Sequence, residues 1–314
     1  INAKKFYSKS RWEERNYDLD FNDLIIADFN TQWLVNPKFQ FHNFSASAGI
    51  SYQLNDENSV LFNYGLSNRA PNPSELFSDG LHHSAARIEL GDLRLQQETS
   101  NRISANYRFK SENTSILVEV FLNHIRNFMY IEPTGTEQTI RGAFPVWAYK
   151  KTNANLFGVD FSLIQQIGSQ FILKNTSSFI RGKDVKNNRN LIDIPSAKTV
   201  NSVGYYLEKW HDFSAVIESE FVFRQSLFPN NNFETYIPTS NTNVLVDIST
   251  TPNNYHLLNF NSDATFKLSE KTNLTVGFTV TNILNINYRE NLNRLRFFAD
   301  DLGRNYTLQL KFKY

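Results

Sequence analysis

The chain has 314 residues, and 32 Lys and Arg against 31 Asp and Glu leave a formal net charge of +1. That balance gives no argument for nucleic acid as a partner, and zero Cys excludes a disulfide framework and a zinc-thiolate site. A mean hydropathy of -0.44 would fit a soluble protein, yet a membrane β-barrel needs only every second residue to be apolar. Aromatics make up 14% of the chain, with 27 Phe and 14 Tyr, which suits a lipid-facing surface with interfacial girdles.

From the N-terminus, residues around Ile1–Tyr7 read as a strand cut short. Val60, Phe62, Tyr64 and Leu66 then oppose Ser59, Asn63, Gly65 and Ser67, and Ile103, Ala105, Tyr107 and Phe109 oppose Arg102, Ser104, Asn106, Arg108 and Lys110. Val118, Val120 and Leu122 continue in phase into His124 and Arg126, a pair expected at the upper membrane interface. In 171–181 the row with Phe171, Leu173 and Phe179 also holds Asn175 and Ser177, the weakest part of the pattern. Phe213, Ala215, Ile217, Phe221 and Phe223 oppose Ser214, Glu218, Glu220 and Arg224. Leu258, Phe260, Ala264 and Phe266 oppose Asn259, Asn261, Asp263, Thr265 and Lys267, and Leu274, Val276, Phe278 and Val280 oppose Thr275, Gly277, Thr279 and Thr281.

The ending is the cleanest: Tyr306, Leu308, Leu310, Phe312 and Tyr314 on one side, Asn305, Thr307, Gln309, Lys311 and Lys313 on the other. Period two of this kind places a strand between an apolar medium and a wet one. Sealing that row from water is worth on the order of 10 kcal/mol. A one-residue slip would turn both lysines toward lipid, at about 2 to 4 kcal/mol each near the midplane.

Connections alternate in length. Short polar turns fall at 55–58, 111–114, 168–170, 209–212 and 269–271, and long segments at 9–41, 69–97, 131–146, 183–194, 227–253 and 287–303. Short periplasmic turns and long outside loops are the habit of outer-membrane barrels. The pattern predicts an all-β, antiparallel up-and-down transmembrane barrel portion of twelve strand segments, one domain over 1–314, ending on the periplasmic side.

Four stretches resemble TonB-dependent outer-membrane receptors, in particular the metal and haem branch in Bacteroidetes-like members: NRAPNPSELFSDGLHHSAARIELGDLRLQQETSN (68–101), FLNHIRNFMYIEPTG (121–135), TNANLFGVDFSL (152–163) and TNILNINYRENLNRLRFFADDLGRNYTLQLKFKY (281–314). The resemblance implies a 22-stranded barrel of which this chain supplies about the last twelve strands, with the plug domain and the TonB-coupling box outside it. It also implies a Gram-negative outer-membrane location, uptake of a scarce small ligand, and partnership with membrane lipid and with TonB through a plug. Metal chelates, siderophores or haem are the first expectation. Oligosaccharide or peptide uptake, or a non-transporting structural barrel subunit, are the alternatives. Phe312 and Tyr314 resemble the terminal signal read by the barrel-assembly machinery.

Candidate site residues follow from the loops. Glu75, Asp79, His82, His83, Glu89 and Asp92, with Arg87 among them, gather in one outside loop, where His82 and His83 are candidate metal ligands. Against this stands a solvated polar loop with two chance histidines. Trp147, Tyr149, Phe228, Tyr236 and Phe298 read as an aromatic mouth or as girdle residues. Glu218, Glu220, Arg224, Asp263 and Lys267 are expected to line the lumen, with Arg224 as the partner of the two glutamates. Gly65, Gly158 and Gly277 leave room on that wall for a plug or for a bend in the sheet. Although Glu218 and Glu220 stand about 7 Å apart, near a glycosidase spacing, no catalytic triad, phosphate loop or EF-hand spacing accompanies them. An enzyme is not expected, and nothing calls for a cofactor.

Overall fold

The computed structural model describes residues 39–237 and 240–314, together with the backbone of 5–8, 25–26 and 31–35. In chain order the strands are β1 (Lys5–Ser8), β2 (Ile25–Ile26), β3 (Thr31–Val35), β4 (Ser45–Gln53), β5 (Asn58–Arg69), β6 (Asp79–His82), β7 (Arg87–Leu90), β8 (Glu98–Lys110), β9 (Thr114–Thr139) and β10 (Gly142–Ile167). They continue with β11 (Phe171–Asp184), β12 (Arg189–Asn190), β13 (Lys198–Leu207), β14 (Phe213–Val222), β15 (Phe233–Ile237), β16 (Thr242–Val246), β17 (Tyr255–Lys267), β18 (Asn273–Thr281) and β19 (Asn305–Lys313). An α-helix, α1 (Pro73–Phe77), precedes β6, and a short 3-10 turn, His83–Ala85, follows it.

One antiparallel wall runs β19-β18-β17-β14-β13-β11-β10-β9-β8-β5-β4. Every neighbour in it is the next wall strand in sequence, as an up-and-down barrel requires. Among the described residues β4 and β19 each pair on one side only, and all residues of both are exposed. The wall is therefore a partial barrel, open along those two strands.

Register carries the predicted alternation across strands. Leu274, Val276, Phe278 and Val280 of β18 stand opposite Phe312, Leu310, Leu308 and Tyr306 of β19, while Asn273, Thr275, Gly277 and Thr279 face Lys313, Lys311, Gln309 and Thr307. At the other end Val60, Phe62 and Tyr64 of β5 meet Tyr107, Ala105 and Ile103 of β8. The apolar face is exposed, with Leu308 at 69% and Ile103 at 60%, and the small buried clusters lie elsewhere. That inversion of a soluble protein's burial is what lipid as the outer solvent produces.

Eleven of the twelve predicted strands occupy the wall. The segment expected as the first does not join it: Lys5–Ser8 pairs with β3 in a separate three-stranded sheet, and residues 1–4 lie outside the described residues. A second expectation also fails, since 131–146 is no loop. β9 and β10 have 26 residues each and pair up to Thr139 and Gly142. At about 3.3 Å per residue each runs roughly 85 Å, far beyond the 9 to 11 residues a bilayer needs. A bulge where Asn127 takes a left-handed φ of 54° and the register shifts between Thr152 and Ala154 bends this hairpin. His124, just below it, bonds Asn155 at 2.7 Å.

The glycines divide. A Cβ on Gly158 would lie 2.3 Å from ring atoms of Phe121, its cross-strand partner, and the other face of that ring carries the Arg102 guanidinium, 3.9 Å from its centroid and ion-paired to Glu119. Gly158 is thus the seat of an aromatic ring from the same wall. Gly65 has nothing within 4 Å, and Gly277 only ordinary contacts.

Candidate functional site

Asn72 and Pro73 start α1 by a capping box: Asn72 Oδ1 accepts from the Glu75 amide at 2.9 Å, and Glu75 Oε2 accepts from the Asn72 amide at 2.8 Å. Glu75 is buried and also ion-pairs with Arg69, which reaches Glu98 at 2.6 Å. The helix packs Leu76 against Leu93, Leu95 and Met129, with Tyr149 at the margin. From this anchor the β6–β7 hairpin reaches across, and β7 pairs in parallel with β10, setting Glu89 beside Trp147.

The predicted metal-ligand cluster does not converge. Glu75 is consumed by the cap, Glu89 pairs with Arg87 at 2.8 Å and Asp92 with Arg94 at 2.9 Å. His82 and His83 are exposed, bonded to Ser84 at 3.2 Å and Arg141 at 3.4 Å. Asp79 opposes Leu90 in the hairpin. Among the described residues no group of three or more His, Asp and Glu is placed to hold a metal ion.

What the loops do build is a cleft of about 550 Å³ between the β6–β7 hairpin, the raised part of β9–β10, and segments 227–253 and 287–303. Arg87, Arg294, Arg296, Trp147, Asp193 and Phe298 line it. Arg87 is buried, with its Cζ 4.4 Å from the Trp147 ring centroid, and Arg294 approaches Glu89 at 3.9 Å. Arg296 is also buried; it donates to the Asn291 carbonyl and, at 2.9 Å, to Asn291 Oδ1, while its Nε has no acceptor. Loss of hydration holds this guanidinium below the ordinary arginine pKa, and Asp193 offsets part of that. Asp193 is an exposed residue of the cleft whose carboxyl is nonetheless crowded by protein. Burial raises its carboxyl above the usual range against the pull of Arg296, Arg87 and Arg294.

Three guanidiniums stand beside aromatic faces, with Asp193 and Asp247 also in the lining and Glu89 paired to Arg87 and Arg294; such a site can take an anion with a flat or apolar body. Of the predicted aromatic mouth, Trp147 and Phe298 share the cleft. Tyr149 belongs to the helix-side core, Phe228 lines a separate small cavity of about 20 Å³, and exposed Tyr236 bonds Asn241 on the β15–β16 hairpin. Sequence reading missed Asp193, Arg294 and Arg296. Its available signal was the basic-aromatic run Arg294-Leu295-Arg296-Phe297-Phe298.

On the wall's polar face Glu218 accepts from Asn259 at 3.1 Å, Asp263 from Ser214 at 2.6 Å, and Lys267 stands opposite Asn273. Contrary to the expectation, Arg224 is not the partner of the glutamates: it lies beyond the end of β14 and bonds Thr251 at 3.4 Å, while Lys198 of the neighbouring strand β13 approaches Glu220 at 3.8 Å. Phe312 opposes Leu274, and Tyr314 is fully exposed.

No curated protein sequence matches the chain significantly. Among solved structures it is similar to the copper transporter OprC (TM-score 0.65, 16% identity), covering 86% of this chain and 39% of that one. It is also similar to a mutant of the ferric enterobactin receptor PfeA from Pseudomonas aeruginosa (0.59, 13%, 90% and 40%) and to the siderophore receptor PirA from Acinetobacter baumannii (0.57, 17%, 90% and 41%). The chain thus spans about two fifths of the length of these structures, and at such identities the likeness is one of fold. The model of the TonB-dependent receptor-like β-barrel matches residues 10–283; with the open antiparallel wall and its two-faced strands, the chain belongs to the TonB-dependent receptor family.

Proposed function

We propose that the chain is wall and outer loops of an energy-coupled outer-membrane receptor that takes up an anionic metal chelate, a siderophore or haem complex, rather than a neutral oligosaccharide. The cleft carries this reading: Arg87, Arg294 and Arg296 beside Trp147 and Phe298 favour a carboxylate- or catecholate-bearing ligand with a flat body. The copper and siderophore transport named for the similar structures agrees with that chemistry. The outer loops capture the chelate, the polar wall face lines its way inward, and TonB acts through a plug. Phe312 and Tyr314 present the end of β19 to the assembly machinery.

Equilibrium binding tests the reading on the receptor in detergent, with a ferric tricatecholate, haem and a neutral oligosaccharide as probes. Arg294 is 58% exposed in its side chain, so Arg294→Gln leaves the fold intact. Removing one charge-assisted contact should weaken an anionic chelate by roughly 10-fold or more. Binding of the oligosaccharide but neither chelate would overturn it.

A further inference from the structure

Beside the cleft lies a much smaller space. A cavity of about 20 Å³ is bounded by 191–194, by residues of 225–231 and 248–251, and by Asn291 and Arg296. Asp193, Ile248, Asn291 and Arg296 line both spaces, so the two share a wall. Several polar groups around the cavity are engaged. Gln225 Nε2 donates to the Ile194 and Pro195 carbonyls, and Gln225 Oε1 accepts from the Leu227 amide. Asn291 Nδ2 donates to the Ile194 carbonyl, and Thr251 Oγ1 to the Gln225 carbonyl.

Two nitrogens are left over. Among the described residues, the buried side-chain polar atoms without a hydrogen-bond partner are Arg296 Nε and Asn231 Nδ2, and both residues line this one cavity. Arg296 is 8% exposed, and a buried donor left unmet carries its full desolvation cost. Asp193, in the same lining, attracts Arg296 by charge without a direct hydrogen bond. These groups and the volume define the occupant. A cavity needs about 10 to 15 Å³ to hold a water, and the water needs 2 to 4 polar partners. Its oxygen can accept from both nitrogens, and it suits Asp193 in either charge state because it both gives and takes a hydrogen bond. A halide would stand beside a carboxylate, and a cation would face two N–H groups.

We propose that this cavity is a binding site for one water molecule, which accepts from Arg296 Nε and Asn231 Nδ2 and bridges them to Asp193. Asn231 is thereby a positioning residue for Arg296: it makes no direct bond to the guanidinium, yet through the water it ties a buried cation of the cleft to the 225–231 loop. The site does not depend on what the cleft takes, so its test needs no chelate.

A crystal structure of the receptor grown with sodium bromide gives the first reading. It should show a single density peak in the cavity, about 2.7 to 3.2 Å from both nitrogens, with no anomalous bromide signal there. Urea midpoints give the second. Asn231→Leu strands the Arg296 donor, Arg296→Met strands the amide, and each should lower the midpoint, whereas the double variant should fall no further than the worse single one. Since no hydrogen bond joins the two side chains, such non-additivity requires a molecule shared between them. An empty cavity, a bromide peak in it, or additive losses would each overturn the proposal. Should a variant fail to assemble, the peak in the parent protein decides alone.

Discussion

The β18–β19 pair and the β11–β13 pair have the same topology and the same kind of register, yet their outward faces differ. In the first, every cross-strand pair on that face is apolar, from Leu274 with Phe312 to Val280 with Tyr306. In the second, the Phe171 and Tyr205 rings meet tilted at 5.1 Å and Leu173 meets Val203, and then the row turns into amides and hydroxyls. Alternation fixes which face a side chain takes, whereas the chemistry within the row reports what that face touches. The comparison can be broken at either pair.

The largest effect is expected from charge. Leu310→Lys places an ammonium in the unbroken row, where Leu310 is 57% exposed to the outer medium. It should destabilise the folded barrel by about 2 to 4 kcal/mol near the midplane, read as a lowered urea midpoint in lipid vesicles. Asn175→Leu, by contrast, should leave stability unchanged or higher. Equal losses from both would mean that the two faces meet the same surroundings.

Next comes the inner side. Gly158→Leu has to displace the Phe121 ring, whose atoms stand 2.3 Å from the new Cβ, and with it the stacked Arg102. Overpacking of this kind costs roughly 1 to 3 kcal/mol, and Phe121→Ala in the same chain should recover part of it, giving a coupling in a double-mutant cycle. Gly65→Ala, with open space around it, should change stability by no more than about 0.5 kcal/mol. If Gly65→Ala were the costlier change, something beyond this chain would be packed against β5 and the ring would not be the reason for Gly158.

These contrasts also show how far the sequence was legible. The wall was legible because period two is a local, repeated signal, and burial of either face enforces it at every strand. The extension of β9 and β10 was not: in 131–146, Pro133, Gly135, Gly142 and Pro145 read as loop punctuation. Pairing along a hairpin that is already formed carried the strands through them, and a bulge between Val146 and Trp147 absorbed the misfit. The outer site was least legible. Glu75 and Glu89 read as ligands by composition, and only the fold reveals that a helix cap and Arg87 claim them. Asp193 lies about a hundred residues from Arg294 and Arg296 in the chain and meets them through loop packing, which has no period to read.

The smallest effect concerns the cleft and follows from Asp193. The Asp193 carboxyl has a pKa raised by burial, which three guanidiniums only partly oppose. An acid raised in the folded state is favoured when protonated, so its ionisation weakens the fold as pH rises through that raised value and the strain is relieved as pH falls through it. The same protonation removes one negative charge from a cleft lined by three arginines. An anionic chelate should therefore bind more tightly as pH is lowered through the Asp193 titration. Asp193→Asn should hold the tight state at all pH, a gain of about 3- to 10-fold at neutral pH with the slope flattened, measured by equilibrium binding of a ferric tricatecholate. A neutral ligand should show neither the slope nor the gain. If the chelate's affinity stayed flat with pH in the parent protein, Asp193 would not face the ligand.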